Sequence, residues 1–430
     1  MKAAQIKLWG KSVGAVSWDP YSETGAFEFE PDFLKSDLDI SPFKMSIEEA
    51  KRGNTIFEFM NLNKETFYGL PGLLSDALPD RYGTTLINAW LASQGRTPDS
   101  MNPIERLCYL GKRGMGALEF EPAVKAPESA MDIEVKSLVE TAQQILGRRK
   151  KFTANIKENV KKGLEDIIRV GTSAGGARAK AIIAYNEKTG KVKSGQVGAP
   201  KGYEHWLLKF DGVTYKDLGD SGGYGRIELA YYYMALDCEI EMSESKLLEE
   251  NGRAHFMTKR FDRIGGKEKL HVQTLCALQH FDFSMVGAYA YEQAFQTIRS
   301  LRLPVNSSEQ LFRRMVFNVI GRNQDDHTKN FSFLMDKKGE WALAPAYDLT
   351  FAYDPQSKWT KQHNLSINGK TSNITQEDLL KVGKEMGIKN AKNIVDKTKK
   401  VMKNWNDYAD RTKVTSKQAK SINKLLLVNL

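Results

Sequence analysis

The chain has little cysteine, little histidine and no long apolar run. Its three cysteines, Cys108, Cys238 and Cys276, are odd in number and far apart in 430 residues. That excludes a disulfide framework and fits a reducing compartment. No uncharged apolar stretch approaches the ~20 residues a membrane helix needs. The opening MKAAQIKLWGKSVG lacks the long apolar centre of a secretory signal. The expected location is the cytoplasm, with no membrane partner. Internal repeats and low-complexity segments are absent too, which excludes solenoid and fibrous classes.

What is present is ordinary in bulk and uneven in charge. Hydrophobic residues make up 41% and charged residues 27%, as in globular proteins, and the length predicts two or three domains. The net charge is +10, and residues 381–430 hold 13 Lys+Arg against 4 Asp+Glu. Nearly the whole excess therefore lies in the last fifty residues. Such a field attracts nucleic acid or an acidic partner, and it is equally the composition of a solvated helix face.

Hydrophobic patterning orders the chain. Residues 1 to about 60 read as β-rich, with a hairpin at Gly10–Lys11 and a further alternation in TGAFEFEP. Residues 73–95 read as helical, broken at Pro79, and the proline-bearing EPAVKAPESAMD (121–132) reads as a boundary before a helix in IEVKSLVETAQQILGRR. Strands return in AKAIIAY and EHWLLKFDG, followed by a helix over 225–240 and a strand over 254–264. The rest is helical, with one hairpin in FSFLMDKKGEWALAP. The expected division is 1–120, a β-rich N-terminal part; 121–262, a strand-rich lobe with a glycine loop; and 263–430, a helical lobe with a basic tail. That is an α+β, protein-kinase-like two-lobe order.

The chemistry gathers in a few motifs. In GRNQDDHTKNFSF (321–333), Asp325 and Asn330 stand five positions apart. Phosphoryl transfer needs a carboxylate beside the attacking hydroxyl and an oxygen donor on a metal, and kinases supply them at that spacing. Asp326 does not have it. The kinase His-Arg pair is missing, and His327 replaces the kinase lysine, with Lys329 two residues on. An amphipathic helix precedes this loop, and the hairpin after it leads to APAYDL, with Tyr347 and Asp348. Asp325, Asn330 and Asp348 can converge on Mg²⁺. Alone, either aspartate is an ordinary turn or cap residue. Lys209 ends the strand HWLLKF where a phosphate-holding lysine belongs, with Glu228 on the next helix as its expected partner, and FMTKRFDR falls where a hinge would meet adenine.

GTSAGGARAK (171–180) admits two readings. It fits the G-x-S-x-G nucleophile elbow, but the residues after Ser173 are strand-like where the elbow needs a helix. The order Ser173, Asp348, His363 is the only other support for a hydrolase. A phosphate-cradling glycine loop ahead of the strand lysine suits the surroundings better, although the P-loop pattern is not met.

With these motifs assembled, the chain resembles the HipA family, the serine/threonine-kinase toxins of bacterial HipBA toxin–antitoxin modules. GTSAGGARAK, HWLLKF, KRFDR, NQDDHTKNFSF, APAYDLT and the N-terminal GLLSDALPDRYG carry the resemblance, in family order over nearly the whole chain. It implies a phosphatidylinositol-kinase-like relationship to protein kinases, with ATP and Mg²⁺ as cofactors. Asp325 matches the catalytic Asp, Asn330 and Asp348 the metal positions, and Lys209 the ATP lysine. Gly175, Gly176, Ala177, Arg178, Ala179 and Lys180 match the ATP-contacting loop, and Lys259, Arg260 and Phe261 the hinge. His327, Lys329 and Tyr347 join the nucleotide-contacting set. Ser173 falls on the loop serine that family members phosphorylate on themselves. The implied partners are a HipB-like helix-turn-helix antitoxin, operator DNA through that complex, and a protein substrate, with aminoacyl-tRNA synthetases as the family precedent. The protein would be cytoplasmic, and nucleoid-associated when bound to antitoxin and DNA. Two other readings stay open: a corepressor that binds nucleotide without transferring phosphate, and a kinase for a small molecule.

A phosphate on Ser173 would add roughly −1.5 to −2 charges where ATP phosphates sit. Ser173→Ala is therefore expected to keep nucleotide binding and to lose self-phosphorylation, read by intact-mass spectrometry after incubation with MgATP.

Overall fold

The computed structural model describes residues 1–123, 131–147, 167, 170–171, 178–196, 198–213, 222–266 and 268–430. The N-terminal alternation becomes a meander. β1 (Ala3–Leu8), β2 (Lys11–Asp19) and β3 (Thr24–Phe29) pair antiparallel, with β4 (Ile56–Phe57) on one edge and β5 (Leu118–Glu121) on the other. The first turn sits at Trp9–Gly10, one residue earlier than expected, with φ of 50° and 82°. Two positive φ values in a two-residue loop match the right-handed twist of the flanking strands. β1 buries every second residue, Ala4, Ile6 and Leu8. Gly14 on β2 lies so close to the Glu28 carbonyl of β3 that a Cβ there would collide with it.

A second sheet has the order β7-β6-β8-β10-β9, built from β6 (Lys180–Tyr185), β7 (Val192–Ser194), β8 (Glu204–Lys209), β9 (Ser245–Glu250) and β10 (Arg253–Lys259). The expected strand over 254–264 stops at Lys259. Asp262, fully buried, draws the chain into a turn there by accepting from Arg260 Nε (2.8 Å), Arg260 Nη2 (2.6 Å), Arg263 Nη1 (2.5 Å) and the Gly116 amide (2.7 Å). Burial alone would raise the Asp262 pKa; the two guanidinium groups outweigh it and hold the carboxyl below the usual carboxylate range.

The chain forms two compact units. Unit 1 comprises Met1–Gly222, Lys246–Val272 and Met335–Gly339; unit 2 comprises Gly223–Ser245, Gln273–Leu334 and Glu340–Leu430. Within unit 1 one apolar core joins Tyr82 and Leu86 of the helix Arg81–Ser93, Leu138 and Ala142 of the helix Val135–Gly147, and Ala181, Ile183, Trp206, Leu208 and Met257 of the second sheet. Unit 2 is built on the helix Val305–Ile320, which is buried on every side from Gln310 to Ile320. Tyr231 of the helix Tyr224–Asp237 lies edge-on to Phe317 and to Trp405, and donates to the Gly321 carbonyl (2.6 Å). The basic tail forms the helices Ala391–Lys403, Trp405–Arg411 and Ser416–Asn423. Ile394, Val395 and Met402 point into the core while Lys392, Lys400 and Lys403 stay exposed, so much of the excess charge is an outer helix face. The α+β order expected from the sequence, strands first and helices after, is the order observed.

Two buried histidines make unit 1 acid-sensitive. His255 Nδ1 accepts from the Asp211 amide (2.9 Å), and His271 Nε2 lies 3.3 Å from the Ile40 carbonyl. Burial pushes both imidazoles down to about 4 from an ordinary 6.5. Between those values the unfolded chain holds protons that the folded chain does not, so stability is full above pH 6.5 and falls as the pH drops toward 4. Each histidine contributes up to about 3 kcal/mol of that loss. Urea denaturation across this window should show the slope, and His271→Gln should make it shallower.

Candidate functional site

The loop after the Val305–Ile320 helix begins in a strained turn, with Arg322 at φ 56°. The loop is held from below. Asp326 is buried, and its carboxylate accepts from the Tyr291 hydroxyl (2.8 Å), from His363 Nδ1 (2.7 Å) and from the Asn364 amide (2.8 Å). Burial, and next the Asp326 carboxylate, keep the Tyr291 phenol well above its usual pKa, so it stays a donor to Asp326. It also accepts from Asn318 Nδ2 (2.9 Å), and Asn318 Oδ1 accepts from Asn323 Nδ2 (2.9 Å). The helices Tyr291–Ser300 and Val305–Ile320 and the segment 363–364 thus meet under two loop residues.

Asp325, one residue earlier, faces the other way, with its side chain 49% exposed. Its carbonyl accepts from Asn330 Nδ2 (2.7 Å), which ties the two ends of the loop together. His327 Nε2 lies 3.9 Å from Asp325 Oδ1, and the His327 ring packs on Phe283 with centroids 5.5 Å apart. Lys329 Nζ sits 4.6 Å from the centroid of Phe283. The hairpin Ser332–Met335 and Trp341–Leu343 carries the chain back to Tyr347, whose hydroxyl donates to the Lys329 carbonyl (2.7 Å) and lies 2.5 Å from Ser332 Oγ. Asp348 has φ 53°, a left-handed conformation rare for a residue with a side chain. Its carbonyl accepts from Asn323 Nδ2 (3.3 Å), which ties it to the loop. Within unit 2, then, Asn330 is bonded to Asp325, which His327 approaches, Tyr347 is bonded to the Lys329 carbonyl, and the Asp348 backbone is bonded to Asn323 at the start of the same loop.

The donor chemistry of the cluster suits Mg²⁺. Among the described residues no group of three His, Cys, Asp or Glu side chains is arranged to hold a metal. Mg²⁺ in nucleotide enzymes keeps waters and takes one or two carboxylates plus phosphate oxygens, so an amide oxygen and a carboxylate, the groups that Asn330 and Asp348 carry, are donor types it accepts.

Unit 1 holds the remaining candidates. Register sets Lys180 on β6 directly opposite Lys209 on β8, and Lys209 opposite Phe256 on β10. Lys209 Nζ lies 5.7 Å from the Phe256 ring centroid. Residues directly opposite share a face, and like charges there repel. Lys180 is 2% exposed and pairs with Asp80 Oδ2 at 3.3 Å. Ala179 is buried and its carbonyl accepts from the Phe210 amide (2.9 Å), with Arg178 just before it. Lys259 is not brought to this pair: it leaves β10 on the opposite face from Phe256 and bonds Glu204 (2.5 Å). The Arg260 guanidinium is taken by Asp262 and its amide donates to the His205 carbonyl (2.9 Å), with Phe261 in the turn beyond it. Glu228 is buried on the Tyr224–Asp237 helix, which groups with unit 2. Ser173, Gly175, Gly176 and Ala177 lie outside the described residues. His363, the third member of the hydrolase order, has its Nδ1 on Asp326.

The buried anchor is not apparent in the sequence. Its one visible sign is the doubled acid, Asp325-Asp326, where the chemistry asks for one.

Comparison with known proteins fits this architecture. Residues 4–121 match the HipA N-terminal domain, and residues 172–405 match the HipA-like C-terminal domain. The chain belongs to the HipA family. Its fold is similar to that of a chain in the Shewanella oneidensis toxin–antitoxin complex of HipA, HipB and operator DNA, with a TM-score of 0.65, 16% identity, and coverage of 98% of this chain and 94% of that one. "Putative kinase Y4mE" of Sinorhizobium fredii is 30% identical over 114 residues, 24% of this chain and 27% of the relative. A "Putative kinase" of Haemophilus influenzae is 29% identical over 101 residues, 22% of this chain and 29% of the relative. The matched part spans less than a third of the length of these curated relatives.

Asp326→Ala removes three hydrogen bonds from buried donors and is expected to cost about 3 kcal/mol or more, and Tyr291→Phe about 1.5–3 kcal/mol. Urea denaturation of the two variants checks both; an unchanged midpoint in Asp326→Ala would show that the network does not hold the loop.

Proposed function

We propose that this protein is an ATP- and Mg²⁺-dependent serine/threonine protein kinase that acts as the toxin of a type II toxin–antitoxin pair. The observation that carries the reading is the division of labour at Asp325-Asp326: one carboxylate buried and hydrogen-bonded, the next exposed, with its own carbonyl bonded to the Asn330 side chain. Asp325 is the general base. A substrate hydroxyl oxygen attacks the γ-phosphorus, the bond from that phosphorus to the ADP oxygen breaks, and the hydroxyl proton passes to the Asp325 carboxylate. Mg²⁺, held by Asn330 and Asp348, would supply charge neutralisation at the phosphates. Lys209, the segment Gly175–Lys180 and residues 259–261 are the proposed nucleotide contacts of unit 1. Ser173 is the self-phosphorylation site.

The half-exposed Asp325 suits a macromolecular acceptor, because a protein hydroxyl reaches it without entering an enclosed pocket. The family membership and the basic outer face of the C-terminal helices support a helix-turn-helix antitoxin and operator DNA as partners. An aminoacyl-tRNA synthetase is the proposed substrate class. No helix among the described residues is long and apolar enough to cross a membrane, which is compatible with a cytoplasmic, nucleoid-associated complex.

The test is phosphorylation of a bacterial lysate with radiolabelled ATP, comparing wild type with Asp325→Asn. Labelled serine and threonine residues on a protein other than the enzyme are expected, with incorporation lower by about 10²–10⁴-fold in the variant. Equal labelling by both would sink the assignment, and labelled small molecules without labelled protein would redirect it to metabolite phosphorylation.

A further inference from the structure

Trp359, in the segment that follows Asp348, is left 41% exposed. Its backbone is nevertheless held in a fixed frame. Ser357 Oγ accepts from the Trp359 amide (3.2 Å) and the Thr360 amide (3.3 Å), and the Asp354 amide donates to the Thr360 carbonyl (3.3 Å). Buried Asn364 bolts that frame to the candidate catalytic loop. Its Nδ2 donates both to the Trp359 carbonyl (3.0 Å) and to the carbonyl of Gln324 (2.7 Å), the residue before Asp325. One amide nitrogen therefore spans the gap between Trp359 and the residue that precedes Asp325. The Asn364 carbonyl accepts from the Gly287 amide (2.9 Å), which ties in the segment of Phe283, on which His327 and Lys329 rest.

Two exposed lysines accompany the indole. Lys358 Nζ lies 5.0 Å from its ring centroid, and Lys361 stands two residues on. Among the described residues neither forms an ion pair with a carboxylate. Asp354, the one acid of 353–362, caps a turn by accepting from the Gln356 amide (2.9 Å). An exposed tryptophan on an ordered backbone offers a large apolar face and loses little freedom on binding. Lysines beside it attract an anionic side chain. A nucleic-acid strand needs a basic groove along its backbone, and two lysines on a segment bolted beside Asp325 do not make one.

We propose that Trp359, Lys358 and Lys361 dock the acceptor segment of the protein substrate and select an acidic residue near the target hydroxyl. The inference rests on the kinase reading of Asp325 and adds to it the class of sequence that is phosphorylated.

The probes are synthetic peptides with one central serine or threonine, flanked by aspartate and glutamate, by alanine or by lysine, and phosphorylated by the full chain with MgATP. Wild type should favour the acidic set over the lysine set by about tenfold in kcat/KM. Lys358→Glu/Lys361→Glu should invert that order. Trp359→Ala should raise KM for the acidic set about tenfold or more with kcat within about threefold, the pattern of lost binding alone. All three side chains are exposed, so thermal melting and MgATP affinity by calorimetry should stay at wild-type values. A flank preference unchanged by the charge reversal, a loss of kcat at constant KM in Trp359→Ala, or a drop in MgATP affinity in either variant overturns the inference. So does competition against the acidic peptides by a single-stranded oligonucleotide that the charge reversal abolishes, which would assign the lysines to nucleic acid. If lysate protein is labelled but no peptide is, the docking role falls and the kinase reading stands. If neither is labelled, both fall.

Discussion

A carboxylate shut away from water must take its hydrogen bonds from the protein, and the candidate catalytic loop depends on one that does. Asp326 accepts from a phenol, an imidazole and a backbone amide contributed by two separate segments, the helix at Tyr291 and residues 363–364. Each donor fixes the segment it comes from, so the loop and its surroundings are determined together. The neighbouring Asp325 gains from this by geometry: with residue 326 anchored inward, residue 325 faces outward, and Asn330 closes the loop over its carbonyl. Asp348 is reached through the same chain of amides, from Asn318 to Asn323 to its carbonyl. A left-handed Asp348 is a strained choice for a residue with a side chain, and it persists where the surroundings over-determine it.

Unit 1 solves buried charge by the same rule with different groups. Asp262 is ringed by two guanidinium groups and an amide. Lys180 is met by Asp80. Arg314 in unit 2 remains a cation although burial pushes it down to about 10, and it donates to the Ala344 carbonyl (2.8 Å). In each case a buried charge is met by an opposite charge or a backbone dipole, because burying it unmatched is costly. These clusters fix local geometry more than they stabilise the fold.

Much of the architecture was legible in the sequence because it rests on short-range patterning. The alternation in β1 to β3, the apolar strands β6 and β8, and the loop-hairpin-Asp order from Asp325 to Asp348 are all local signals, and they lie where they were expected. What was not legible is long-range. β5 and β9 are edge strands whose identity comes from their neighbours. The strand at 254–264 ends early because a buried Asp262 gathers arginines and a glycine amide some 150 residues away in sequence. The side on which Lys259 leaves the sheet, the burial of Asp326 and the pairing of Asp80 with Lys180 all depend on register or on distant segments. Spacing within one motif carries no information about them.

The interleaving of the two units has a consequence for how the chain comes into being. β8 lies between β6 and β10, and β10 comes after the Tyr224–Asp237 helix, which belongs to unit 2. During synthesis β8 leaves the ribosome more than forty residues ahead of its second neighbour, at a few seconds of elongation. Until then it presents an open strand edge rich in apolar residues, a template for pairing with another nascent chain. Nor is unit 1 complete until residues 335–339 have been made. The lysine face of the sheet is therefore assembled late, after Asp80 and its helix have long been in place to receive Lys180.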